Sequence, residues 1–165
     1  MVIAYLGLGS NLGNRLAFLR GGRDRLISRF DIVLLRASGI FETEAVGGPP
    51  DNPPFLNTVL EIETSLSPRD LLAACQSVED EFGRTRPMEW APRTLDIDLL
   101  MYGEATISET DLQVPHPRLH ERNFVLAPLN ELAPDLIHPV LQKPIRVLTA
   151  ELAACAGLAP LRATW

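Results

Sequence analysis

The sequence predicts an α+β fold, a ferredoxin-like antiparallel sheet with helices packed on it, followed by a C-terminal extension. Two observations carry this. Short apolar runs and helix-spaced apolar stripes alternate in the order strand, helix, strand, strand, helix, strand. The chain has 165 residues, the size of one compact unit, so 1–165 reads as a single domain. A chain of this length buries roughly 70% of its unfolded surface and needs no disulfide or structural metal to fold.

The first strand is Val2 to Gly9, a short apolar run with β-branched and aromatic members that stops at Gly9-Ser10-Asn11. Leu16, Leu19, Leu26, Ile27 and Phe30 then recur at helical spacing, which predicts a helix over Asn14 to Phe30. Gly21-Gly22 opposes it by about 2 kcal/mol of helix propensity. Ile32 to Phe41 and Phe55 to Ile62 read as two strands, separated by Glu44 to Pro54 with its two glycines and four prolines. That segment cannot continue a sheet and is too long for a tight turn, the mark of a functional loop. Ser67-Pro68-Arg69-Asp70 combines a cap, a first-turn proline and a first-turn acid, and so starts a second helix. Leu71, Leu72, Cys75, Val78 and Phe82 form its apolar stripe and Gly83 closes it. After the irregular stretch Arg84 to Pro92 comes the strand Thr94 to Tyr102. Phe124 to Leu132 reads as a short helix, and Pro144 to Ala156 as a closing one.

Apolar residues make up 46% and charged residues 22%, the mix of a folded domain rather than a disordered one. The net charge of −6 argues against a general nucleic-acid or anionic-membrane binder, although a local basic patch could still hold an anion. No stretch reaches membrane-spanning length, and no basic segment precedes the apolar N-terminal run as in a signal peptide. Cys75 and Cys155 sit among alanines and leucines without metal-ligand spacing, and read as buried thiols of a reducing compartment rather than a disulfide. The expectation is a cytoplasmic monomer with no nucleic-acid or membrane partner.

Leu95-Asp96-Ile97-Asp98-Leu99 departs from what a buried strand should show. With a period of two, the apolar residues take one face while Asp96 and Asp98 share the other, roughly 7 Å apart at their Cα atoms. Two carboxylates so placed repel each other unless they bind a cation, pair with arginines or shift a pKa. Oxygen ligands on a rigid strand suit magnesium, which shares its other positions with water and phosphate oxygens. An isolated Asp-x-Asp is more often the solvated face of an edge strand. The neighbours shift the balance: Arg84, Arg86 and Arg93 lie upstream and His116, Arg118, His120 and Arg122 downstream. Guanidinium groups facing a carboxylate-bound metal are what a polyphosphate needs on its other side. Any one of them could merely balance the 21 acids; the whole constellation is harder to explain that way.

Arg93-Thr94-Leu95-Asp96-Ile97-Asp98-Leu99-Leu100, preceded by Trp90 and Pro92, resembles the signature of the 6-hydroxymethyl-7,8-dihydropterin pyrophosphokinase family of folate biosynthesis. Gly9-Ser10-Asn11-Leu12, Phe55-Leu56-Asn57 and Val114-Pro115-His116 also fall in family order, so the resemblance covers nearly the whole chain. It implies transfer of a pyrophosphoryl group from ATP to the pterin hydroxymethyl oxygen, with release of AMP. By matching position, Asp96 and Asp98 would hold two Mg2+ ions, and Arg84 and Arg93 would act with them in catalysis. Glu79, Arg84, Arg93, Ile97, His116 and Arg122 would contact ATP, and Thr43, Val46, Phe55, Asn57, Trp90 and Phe124 would form the pterin pocket. The side chains suit these roles, since aromatic rings hold a flat heterocycle while an amide such as Asn57 reads its polar edge. Glu44 to Pro54 and Arg84 to Pro92 would be lids, and Gly9 to Gly13 a third mobile loop lacking the lysine of a P-loop.

The chain departs from the family pattern at Glu89, where an arginine often precedes the tryptophan, at Ala91 for a usual glycine, at Asp111 for a basic residue and at Pro117. These bear on ATP affinity and lid geometry rather than on the reaction class. A nucleotidyltransferase pairs Gly-Ser with an Asp-x-Asp one short helix later, whereas here the acids come far downstream. A non-catalytic ferredoxin-like ligand-binding module would explain an aromatic pocket but not two aligned acids facing arginines.

Overall fold

The computed structural model describes residues 1–44, 51–83 and 94–153, and the backbone of 159–161. The first strand, β1, spans Val2–Ser10 and feeds helix α1, Arg15–Ile27, whose cap Asn14 accepts a hydrogen bond from the Ala17 amide. The helix ends three residues before Phe30. The chain turns there to enter the next strand, with the Ile32 amide donating to the Arg29 carbonyl, and Phe30 is 98% exposed rather than part of the apolar stripe. The glycine pair has a packing reason: a Cβ on Gly21 would come within 2.7 Å of the Phe82 ring, and one on Gly22 within 2.7 Å of Leu95.

The run from Ile32 to Phe41 is two strands, not one: β2 (Ile32–Ala37) and β3 (Ile40–Thr43), broken at Ser38-Gly39. Both pair antiparallel with the long β4, Phe55–Thr64, β2 along its end half and β3 along its start. Ser38 accounts for the break. Its hydroxyl accepts the Val59 amide at 2.9 Å and bonds the Thr58 hydroxyl at 3.0 Å, while its own amide donates to the Val59 carbonyl at 2.9 Å. A side chain thus stands in for a backbone group of the ladder, and Gly39 gives its amide to Glu131 instead. Helix α2, Pro68–Glu81, follows as the sequence predicts, with Ser67 accepting from the Asp70 amide and Gly83 at φ +76° beyond its end.

Strand β5, Asp96–Tyr102, completes the core order β5-β1-β4, with β2 and β3 following one another along the far edge of β4. A two-stranded ribbon not foreseen from the sequence follows, β6 (Ile107–Ser108) with β7 (Gln113–Val114), and then a 3-10 turn, Leu119–Glu121. Arg69 of α2 pairs with Glu109 and Asp111 of this region, so Asp111, a departure from the family pattern, is engaged in an ion pair with α2. Helices α3 (Asn123–Leu132) and α4 (Ile145–Ala153) come next, and the short strand β8, Ala159–Leu161, lies beside β3.

Alternation along β1 separates two cores. Ala4, Leu6 and Leu8 join Leu19, Leu26, Leu71, Cys75 and Val78 beneath α1 and α2. Tyr5, with Val59, Leu100 and Met101, joins Val125, Leu126, Leu129 and Leu148 of α3 and α4. Helices therefore pack on both faces of the sheet, not on one, because the C-terminal extension returns to cover part of the second face. Cys75 is a buried free thiol; Cys155 lies outside the described residues. Among the described residues no helix is long and apolar enough to cross a membrane.

Candidate active site

The site occupies the part of the second sheet face that α3 and α4 leave open. Along β5, Ile97 and Leu99 enter the first core and the side chains of Asp96 and Asp98 take the opposite face. Across the ladder, β1 sets Gly9 against Asp96 and Gly7 against Asp98. Both positions facing the acids are therefore free of side chain. On the other side of β1, β4 sets Asn57 against Gly9 and Val59 against Gly7, and β3 sets Thr43 against Phe55. The start of α3 supplies a wall of Arg122, Phe124 and Val125. Together these residues line one cleft that opens to solvent.

One end is apolar and finely ordered. Asn57 is 6% exposed, and its side-chain amide donates to the Thr43 hydroxyl at 2.9 Å. Its Oδ1 lies 3.0 Å from where a Cβ on Gly9 would stand, and the Phe55 ring 3.5 Å from the same point. Gly9 thus admits the amide and the ring to the sheet floor. The charged end holds Asp98 with Arg122 Nη1 at 3.9 Å from its Oδ2, the guanidinium carbon of Arg122 standing 5.5 Å from the Phe124 ring centre.

His116 stands at the open edge of β5, its amide donating to the Leu100 carbonyl at 2.9 Å. Burial, followed by the charge of Arg122, pushes its imidazole down to about 4, against the opposing pull of Asp96. It is therefore neutral at physiological pH, and since Nδ1 accepts from the Arg118 amide at 3.2 Å, the ring proton belongs on Nε2.

Around the rim, Asn11 is buried and its side chain donates to Asn52 Oδ1 and the Pro53 carbonyl at 2.9 and 3.0 Å. Arg15 joins Glu42 at 2.8 Å and the Pro54 carbonyl at 3.0 Å. The segment after β1, anticipated as a third mobile loop, is thereby tied to the return leg of the 44–54 segment.

Of the residues singled out from the sequence, the structure gathers Thr43, Phe55, Asn57, Asp96, Asp98, Arg122 and Phe124 around one cleft. Glu79, Ile97 and His116 do not line it. Glu79 sits on α2, 1% exposed, with its Oε1 accepting the Ile97 amide at 2.7 Å. Val46, Arg84, Trp90 and Arg93, along with Glu89 and Ala91, lie outside the described residues, as does most of both anticipated lids. Sequence reasoning named Gly9 only as the start of a loop and missed Gly7. The signal was there: two glycines at a spacing of two inside an apolar run share a face, and a bare face in a sheet makes room for something else.

The donor set can be tested against a metal. Among the described residues no group of three or more His, Cys, Asp or Glu side chains could hold an ion. A cage made by the protein alone is thus absent there, while two carboxylates sharing a face, opposite bare glycines and beside an arginine, fit a magnesium site whose remaining positions come from water and a phosphate.

A model of the family described as 7,8-dihydro-6-hydroxymethylpterin-pyrophosphokinase (HPPK) matches residues 5–134. The chain is 46% identical over 130 residues to the 2-amino-4-hydroxy-6-hydroxymethyldihydropteridine pyrophosphokinase of Bacillus subtilis (strain 168), covering 79% of this chain and 77% of that one. Over 151 residues it is 39% identical to the protein of the same name from Aquifex aeolicus (strain VF5), covering 92% of each. Among solved structures, wild-type Plasmodium falciparum HPPK-DHPS shares the fold with a TM-score of 0.73 at 16% identity, over 93% of this chain. This chain spans 45% of that longer one.

Proposed function

The chain belongs to the 7,8-dihydro-6-hydroxymethylpterin-pyrophosphokinase family, and on that premise we propose that the cleft over Gly7 and Gly9 is where a pyrophosphoryl group passes from ATP to 6-hydroxymethyl-7,8-dihydropterin. The enzyme is an ATP-dependent diphosphotransferase of folate biosynthesis. The hydroxymethyl oxygen attacks the β-phosphorus and gives up its proton to solvent, the bond from that phosphorus to the oxygen bridging the α-phosphate breaks, and AMP leaves with the electron pair. The observation that carries the assignment is the convergence of an acid pair and an arginine with an amide and two aromatic rings in one cleft.

Asp96 and Asp98 would hold two Mg2+ ions, which would neutralise phosphate charge when bound. Arg122, stacked on Phe124 and close to Asp98, presents its guanidinium to the triphosphate. Neutral His116 donates from Nε2 to a phosphate oxygen. Arg84 and Arg93 complete the set from outside the described residues. At the other end, Phe55 and Phe124 hold the pterin ring, with Val46 and Trp90 adding to the pocket. Asn57, its orientation fixed by Thr43, reads the heterocycle's polar edge. Little covalent work falls to the protein; positioning and charge complementarity supply the rate.

The whole chain acts as one domain, and as a cytoplasmic monomer, readings supported by its size and by the buried, unpaired thiol of Cys75. Incubation with ATP, Mg2+ and the hydroxymethyl dihydropterin should yield the pterin diphosphate and AMP. Pyrophosphate in place of AMP would instead mark a nucleotidyltransferase. Replacing both Asp96 and Asp98 by Ala should abolish turnover with the fold intact, and full activity in that variant would refute the assignment.

A further inference from the structure

We propose that Glu79 is a positioning residue that sets the spacing of the Asp96 and Asp98 carboxylates by holding the backbone between them, rather than a residue that touches the nucleotide. The inference rests on the reading that these two acids hold the metal.

Strand β5 pairs with β1 alone among the described residues, so its outer edge offers backbone groups with no strand to receive them. Ile97 is the residue between the two acids. Its amide points to that edge and is accepted by Glu79 Oε1 at 2.7 Å, a short, charge-assisted bond. Glu79 comes from α2, where it follows Val78 and lies one turn after Cys75, on the face buried against the sheet, and it is 1% exposed. A carboxylate there is costly to desolvate, so its position is fixed by the bonds it makes.

The geometry has one lever. Asp96 and Asp98 can converge on the same cations only while the peptide joining them to Ile97 keeps its pleat. On the inner side that pleat is held by β1, through Gly9 opposite Asp96 and Gly7 opposite Asp98. On the outer side, at Ile97, it is held by Glu79. The carboxylate acts from the opposite layer of the molecule, and it does not line the cleft.

The test uses the full chain with Glu79→Ala and Glu79→Gln. The amide oxygen of glutamine can accept the same N–H, whereas alanine leaves it bare. Binding of Mn2+ with a non-hydrolysable ATP analogue, read by electron paramagnetic resonance, should weaken about 10- to 100-fold in E79A, the range for loss of a group that orients a metal ligand. In E79Q it should stay within about threefold. Affinity for the pterin alone should be unchanged in both. Amide hydrogen exchange at Ile97, read by NMR, should accelerate at least about tenfold in E79A and not in E79Q.

If E79A does not fold, E79Q decides by itself: loss of about tenfold or more in binding would show that the charge meets the ligand, and would overturn the proposal. Equal damage in E79A and E79Q, or unchanged Mn2+–nucleotide binding in E79A, would also overturn it. Asp96→Asn with Asp98→Asn separates the two readings. Unchanged Mn2+–nucleotide binding in that variant would sink the metal assignment, whereas exchange at Ile97 reports on Glu79 alone.

Discussion

Gly9→Ala isolates the contribution of the bare sheet floor to pterin binding. Gly9 is within β1, paired with Asn57 on one side and Asp96 on the other, so alanine meets no left-handed backbone penalty and the effect is steric. The new Cβ would stand 3.0 Å from Asn57 Oδ1 and 3.5 Å from the Phe55 ring, so the amide must retreat by a few tenths of an ångström. That retreat strains the 2.9 Å bond from Asn57 to Thr43. Such a hydrogen bond contributes about 0.5–1.5 kcal/mol, and mild overpacking costs about 1–3 kcal/mol. Taking about 1–2 kcal/mol as the part felt by bound pterin, KM for the pterin should rise about 5- to 30-fold, since each 1.4 kcal/mol is about tenfold. Steady-state kinetics at saturating Mg2+ and ATP give the pterin value, and a second series at saturating pterin gives the ATP value. The ATP value should change at least about threefold less, because Arg122 and Asp98 are untouched. A pterin KM within about twofold of the unmodified enzyme, with unaltered melting temperature, would refute the claim that Asn57 reads the ring over Gly9.

Three further outcomes follow from the same geometry. Ser38→Ala removes the acceptor of the buried Val59 amide and should destabilise the protein by about 2 kcal/mol, lowering Tm by about 4–8 °C in calorimetry; an unchanged Tm would contradict the ladder role of that hydroxyl. His116 is held at about 4 in the folded chain against 6.5 in the unfolded one, so the neutral ring is favoured by folding. Its contribution is whole above pH 6.5 and is lost as pH falls towards 4, reaching about 3 kcal/mol. Denaturant titrations of the substrate-free protein and of His116→Gln should diverge across that window, and NMR should show a ring still neutral at pH 6. Arg15→Ala releases both Glu42 and the Pro54 carbonyl; a partly exposed pair of this kind contributes about 0.5–1 kcal/mol, so pterin KM should rise about two- to fivefold, and no change would mean that this anchor does not shape the pocket.

Local chemistry made some elements readable. Ser67-Pro68 and Gly83 bounded α2 because capping is decided within a few residues, and the parity of Asp96 and Asp98 follows from the strand period alone. What failed depends on distant partners. Phe30 kept helical spacing, yet the chain had already turned towards β2 and left it in solvent. The break at Ser38-Gly39 was invisible in an unbroken apolar run, because Ser38 substitutes for the ladder only once Thr58 and Val59 face it. Gly7 and Gly9 gain their meaning only from the acids of β5 set against them across the ladder. Glu79 continues the stripe of Leu71, Cys75 and Val78 into a buried position. A charge on that stripe was a legible anomaly; which amide it serves was not.

The glycine pair of α1 makes the helix a gauge for the opposite side of the sheet. Gly22 lies against Leu95, which is wholly buried and immediately precedes Asp96. A methyl at Gly22 would stand 2.7 Å from a terminal methyl of Leu95, so the buried side chain next to the acid pair must shift. In a library of single variants screened for turnover, Gly22 should therefore respond to substitution, although it does not line the cleft. The helix layer is in this way coupled to the strand that carries the acids, through the residue immediately before them.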